Sequence, residues 1–201
     1  MKRIFIILKE QSMSPNALQS DWKIQKAIPL EAEEIAKMHS ESFRSTYLIK
    51  RDGELTPEEI EHNDFIIHNT MQFMSPERIR SRAKLIAASI DAPNIHFYHI
   101  AKREDGQPIG LLYGSKEDVK QEIYALYVDE DYTRVGVGRA LVEKYIEWSD
   151  PQRPIELGVY KENERAIQFY KKMGFEALND NRHSHYEFIP ETTMIRKGDQ
   201  Q

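Results

Sequence analysis

Two hydrophobic periods interleave along this chain, and their order predicts its elements. Residues 22–27 read as a first strand, and beyond Pro29 a helix is expected over 31–47, with Ile35, Met38, His39 and Phe43 near one face. Thr56-Pro57-Glu58-Glu59 is a helix start, with threonine as N-cap and a glutamate three residues on. Ser75-Pro76-Glu77 begins another, so 48–91 is predicted to be mostly helical. Strands are expected at 96–101 and 108–113, joined by a turn at Glu104-Asp105-Gly106. A further apolar run ends in Tyr127-Val128, and after it Leu141, Val142, Tyr145 and Ile146 recur at helical spacing. Ile155, Leu157 and Val159 then alternate with Glu156 and Gly158 as a strand. Asn163 is the N-cap of a helix whose apolar face is Ala166, Ile167, Phe169, Tyr170 and Met173, with Gly174 at its C-terminal cap. A short strand to Leu178, a polar turn at 179–181 and a last strand over 186–196, which Pro190 interrupts or places at an edge, complete the pattern.

Composition narrows the class without naming a function. A chain of 201 residues can build one domain with a sizeable core, expected here over 21–201, with residues 1–20 as a loosely held leader. With 40% hydrophobic and 30% charged residues the chain is globular rather than disordered. Its net charge of -5 argues against broad nucleic-acid binding and favours, weakly, a cationic substrate. The absence of cysteine excludes disulfides, a covalent cysteine intermediate and thiolate metal ligands, and accords with a cytoplasmic location. Residues 4–8 are apolar, but Lys9 and Glu10 end the run below the length of a signal-peptide core; no other segment is expected to enter a membrane.

The chemistry concentrates in residues 119–175. Gly136 and Gly138 follow a strand and open a helix, where unpaired backbone N–H groups and the positive dipole end can wrap a diphosphate once side chains are out of the way. Arg134 and Arg139 add charge within reach of phosphate oxygens. A lone Gly-x-Gly is more often an ordinary turn, and a lone Tyr170 is more often a core aromatic; the information lies in the two features together.

Together these residues resemble the GCN5-related N-acetyltransferases, most strongly over 122–175. Gly136 and Gly138 fit the family's glycine pattern after its fourth strand. Its first position, Gln or Arg in the family, is Thr133 here, with arginine displaced to Arg134, which leaves the phosphate grip to the backbone. Asn163, Ala166, Phe169, Tyr170, Gly174 and Phe175 satisfy the second signature. The resemblance implies an α/β (α+β) fold with a mixed, mostly antiparallel sheet of about six or seven strands flanked by helices, splayed between the fourth and fifth strands. It implies direct acetyl transfer from acetyl-CoA to a primary amine, whether a small molecule, a polyamine or a peptide N-terminus. Leu126, Tyr127 and Val128 would pair with the pantetheine arm. Arg134, Val135, Gly136, Val137, Gly138, Arg139 and Ala140 would hold the diphosphate, and Asn163 would contact the arm near its thiol. Tyr170 would protonate the departing thiolate, and Glu122, directly or through water, would take the amine's proton, with Glu117, Asp118 or a water wire as alternatives.

The acceptor is left open. Phe43, Arg44, Tyr47, His183, His185 and Tyr186 are expected near its site, and Arg44 could bind a carboxylate. His183 and His185 lack a third ligand in sequence, so no metal is predicted. Fold analogy allows a homodimer. A non-catalytic acyl-CoA sensor is the alternative function. A dinucleotide oxidoreductase ranks last, because Leu141 stands where a third glycine would be needed.

Overall fold

The computed structural model describes residues 22–48, 53–73, 75–178 and 190–199. Strands β1 (Trp22–Lys26), β2 (His96–Arg103), β3 (Pro108–Lys116), β4 (Gln121–Val128), β5 (Ile155–Tyr160), β6 (Glu176–Ala177) and β7 (Glu191–Arg196) form one sheet in the order β1-β2-β3-β4-β5-β7-β6. Every pairing is antiparallel except β4 with β5. The seven strands and the mostly antiparallel pairing match the expected class. The leader, the turn at 179–181, His183, His185, Tyr186 and the side chains of Phe43 and Arg44 lie outside the described residues.

Helices α1 (Ala32–Tyr47), α2 (Pro57–Phe73) and α3 (Pro76–Ile90) begin where the sequence signals them. Thr56 and Glu59 exchange the two bonds of a capping box, and the Ser75 hydroxyl accepts from the Arg78 amide behind Pro76. Ile35 and Ala36 of α1 and Ile86 and Ile90 of α3 bury against Tyr98, Ile100, Leu111 and Ala125 on one sheet face. On the opposite face α4 (Val137–Trp148) and α5 (Glu164–Lys172) cover Ile109, Leu112, Ile123, Leu157 and Val159. Successive strand residues point to opposite faces, so each strand feeds both layers.

Close approach of α4 to the sheet needs two glycines. A methyl group at Gly110 would lie 2.9 Å from Val137, and one at Gly114 would lie 2.5 Å from the Tyr145 ring and 2.6 Å from the Glu122 carbonyl. Through that gap the buried Tyr145 hydroxyl reaches the carbonyls of Ser115 and Glu122, at 2.7 and 3.1 Å. The helix is thereby fastened to both β3 and β4.

Beside that fastening the β3–β4 register slips by one residue. Tyr113 faces Ala125 while Gly114 faces Ile123, which leaves Tyr124 as the extra residue of a bulge. Parallel pairing with β5 covers only Gln121, Glu122 and Ile123. From Tyr124 onward β4 and β5 do not pair, which is the splay expected between the fourth and fifth strands.

Candidate active site

The splay opens a cavity of about 380 Å³ that passes from one face of the sheet to the other. Asn163, Ala166 and Tyr170 line it from the α5 side, and His39, Thr46 and Tyr47 from α1. The walls are β4 from Ile123 to Tyr127 and β5 from Gly158 to Tyr160.

Tyr170 is fixed by the end of its helix. Gly174 adopts φ 85°, its amide bonds the Lys171 carbonyl, and the Phe175 amide bonds that of Tyr170 itself, which together form a Schellman turn. Phe169 and Phe175 pack edge-on against the ring, at 5.1 and 5.6 Å between centroids. Burial pushes the phenol pKa well above its ordinary value, so at neutral pH the hydroxyl holds its proton. At the other end of α5 the Asn163 side-chain oxygen accepts from the Ala166 amide at 3.0 Å. The carboxamide therefore caps the helix through its oxygen and keeps its N–H groups for the cavity.

The predicted diphosphate segment has the geometry of an anion cradle. Gly136 is the N-cap of α4 at φ 97°, and the first helical bond, from the Ala140 amide to the Gly136 carbonyl, leaves the amides of Val137, Gly138 and Arg139 without helical acceptors. No acidic residue stands in this first turn. A methyl group at Gly136 would meet nothing, and one at Gly138 would make only ordinary contacts with Val128 and Phe169. The fold itself does not demand glycine at 138, and the missing side chain leaves the backbone there bare. Val135 and Val137 are buried and Ala140 half-buried, so these three offer the cradle their backbone rather than their side chains. Arg134 is exposed and adopts φ 68°, while Arg139 pairs with Glu143 one turn on, at 2.8 Å.

Leu126, Tyr127 and Val128 lead from the cavity to this cradle. Leu126 and Tyr127 line the cavity, and the Val128 side chain stands beside Gly138. The β4–β5 pairing has ended before these residues, so the side of β4 that faced β5 borders the opening here.

Glu122 is placed differently from the others. Its nearly buried carboxylate pairs with Lys120 at 2.9 Å, and Lys120 also reaches Glu156 at 3.4 Å. It is not among the residues lining the cavity. A carboxylate that sequence reasoning did not single out, Glu191 of β7, does line it. Tyr47 and Tyr127 line it as expected, and His39, Tyr113, Tyr124 and Tyr160 add rings that sequence reasoning did not single out for the site. His39 packs at a tilt against Tyr127 and Tyr47 meets Tyr160 edge-on, with centroids 4.9 and 5.4 Å apart. Among the described residues no group of three or more metal-ligating side chains is positioned to hold an ion, and no helix is long and apolar enough to cross a membrane.

Comparison with known proteins accords with this geometry. A sequence model described as the Acetyltransferase (GNAT) family matches residues 32–175, and the chain belongs to that family. It is 46% identical over 82 residues to an uncharacterized N-acetyltransferase of Methanocaldococcus jannaschii, covering 36% of each chain. It is 38% identical over 76 residues to the peptidyl-lysine N-acetyltransferase YjaB of Escherichia coli, covering 38% of this chain and 47% of that one. The matches thus span less than half the length of these curated relatives. Among solved structures, the PaiA N-acetyltransferase of Thermoplasma acidophilum, in complex with coenzyme A, superposes with a TM-score of 0.61 at 20% identity, over 88% of this chain and 98% of that one. The ribosomal-protein-S5-alanine acetyltransferase of Vibrio fischeri gives 0.62 at 15% identity, over 90% and 94%. Likenesses at this identity establish a shared fold.

Proposed function

We propose that this protein transfers the acetyl group of acetyl-CoA directly to a primary amine. The observation that carries the reading is the succession of the α4 cradle, Val128 beside Gly138, and Leu126 and Tyr127 on the wall of the cavity that Tyr170 also lines. The donor diphosphate is held by the amides of Val137, Gly138 and Arg139 with Arg134 beside them, and its arm runs along Leu126 to Val128 toward Asn163. The donor supplies the activated acetyl group. The amine nitrogen attacks the thioester carbonyl, the C–S bond breaks, and the Tyr170 hydroxyl donates to the departing sulfur. Its raised pKa guarantees the proton is present before attack. The proton lost by the amine leaves on the α1 side. Glu122, held by Lys120 and outside the cavity lining, can receive it only through water.

The test separates donor binding from chemistry. Gly138→Ala is expected to leave stability unchanged or slightly raised, since alanine favours a helix by up to about 1 kcal/mol over glycine, and to weaken acetyl-CoA binding about tenfold or more. Tyr170→Phe is expected to keep that affinity and lower kcat by about 100-fold. Calorimetric binding of acetyl-CoA and release of free CoA thiol over an amine panel read the two effects. A wild type that binds acetyl-CoA without turning it over on any amine would instead make the chain an acyl-CoA sensor.

A further inference from the structure

On the α1 side of the sheet, Gly158 and Glu191 form an arrangement with one purpose in view. Ile155, Leu157 and Val159 of β5 point into the α4 layer, so Glu156, Gly158 and Tyr160 face α1. Glu191 pairs with Tyr160 across the β5–β7 ladder and therefore faces the same way. Its carboxylate lies back over β5: a methyl group at Gly158 would stand 2.6 Å from Oε2 of Glu191. Gly158 has no positive φ that would require glycine. What its missing side chain provides is room for this carboxylate against the floor of the cavity.

Around it the surroundings suit a cation. Seven aromatic rings line the same opening, Tyr170 among them, and ring faces attract an ammonium group. Glu156, two residues before Gly158 on the same face, is engaged by Lys120 at 3.4 Å and does not line the opening, whereas Glu191 does.

Taking the acetyltransferase reading as its basis, we infer that Glu191 is the catalytic carboxylate that binds the acceptor's ammonium group and takes its proton, and that the acceptor is a cationic alkylamine. The ammonium gives one N–H proton to Glu191, which passes it to solvent. The freed lone pair forms the C–N bond at the thioester carbonyl, and the C–S bond breaks. Tyr170 protonates the thiolate, and the second proton shed by nitrogen restores the phenol through solvent. The products are an amide, CoA thiol and one released proton. Gly158 is a positioning residue, because it leaves the carboxylate its place.

The experiment uses the full chain with spermidine as the cationic probe and para-anisidine as an amine that is neutral at the assay pH. Glu191→Gln and Gly158→Ala are each expected to lower kcat/KM for spermidine by about 100-fold while leaving the KM for acetyl-CoA unchanged. Para-anisidine is expected to be the poorer acceptor for the wild type and to lose far less in both variants. Independently of turnover, calorimetry of spermidine with CoA-saturated protein should show binding to the wild type and at least about tenfold weaker binding to Glu191→Gln. Spermidine affinity equal in wild type and Glu191→Gln, or no spermidine binding to the wild type, overturns the inference even where acetyl transfer is active. A neutral amine preferred over spermidine does the same. Failure of acetyl-CoA to bind at all would instead remove the acetyltransferase reading.

Discussion

At the scale of single residues, the cradle shows most clearly how backbone conformation and chemistry are set against each other. Gly136 takes a left-handed conformation at no steric cost, but Arg134 does so with a side chain, at φ 68°. A left-handed L-residue costs roughly 1–2 kcal/mol, whereas glycine at the same place adds only about 0.4–1 kcal/mol of unfolded-state entropy. Relief of strain wins. Arg134→Gly is therefore expected to stabilise the protein by up to about 1 kcal/mol in urea unfolding, and to weaken acetyl-CoA binding about tenfold through the lost charge. Arg134→Ala should lose the same affinity and gain no stability. If both variants bind acetyl-CoA like the wild type, the arginine does not touch the phosphates. The strain is then unexplained by function.

At the scale of elements, the same tyrosine that packs α4 also fixes the bulge that opens the site. The Tyr145 hydroxyl reaches the carbonyls of Ser115 and Glu122, a cross-strand pair one step beyond the β3–β4 slip, and Gly114 gives its ring room. Tyr145→Phe leaves those buried carbonyls without this donor, a loss of about 1–3 kcal/mol measurable by urea unfolding, and the slope of the transition should stay unchanged. Much of this level was legible in the sequence. Helix caps at Thr56, Ser75 and Asn163 are local devices, each read from three or four neighbouring residues, and the glycines at 136, 138 and 174 announce their turns in the same local way. The bulge was not legible, because Tyr124 is surplus only relative to Gly114 on another strand. Glu191 was hidden for a similar reason: following Pro190 it reads as a solvated edge residue, and only the absence of a side chain at Gly158 across the ladder places it in the cavity. Glu122 was visible as a carboxylate near the site, but its pairing with Lys120 depends on how the β3–β4 turn folds back.

At the scale of the whole molecule, the cavity joins two layers that otherwise have separate cores, and His39 sits where α1, α3 and β4 meet. Burial first, and the Arg82 guanidinium second, push its pKa down to about 3. Arg82 of α3 is anchored to α1 by donating to the Ser40 hydroxyl at 2.9 Å, so the charge facing His39 is held by the packing of two helices. The folded value lies below the ordinary 6.5, so the unfolded chain takes up a proton that the folded chain refuses. Stability linked to His39 is thus complete above about pH 6.5 and is lost as the pH falls toward 3, with a slope of at most about 1.4 kcal/mol per pH unit. His99, held down to about 4 by burial and then by Lys144 and Lys26, acts with the same sign. Carboxylates begin to titrate below about pH 5, so the histidine effect is isolated between about pH 6.5 and 5. Urea unfolding across that window is expected to show stability falling with pH, and His39→Gln should flatten the fall. A variant whose profile runs parallel to the wild type would show that His39 accepts a proton in the folded state as readily as in the unfolded one. The neutral ring packed against Tyr127 would then not be a permanent part of the cavity wall.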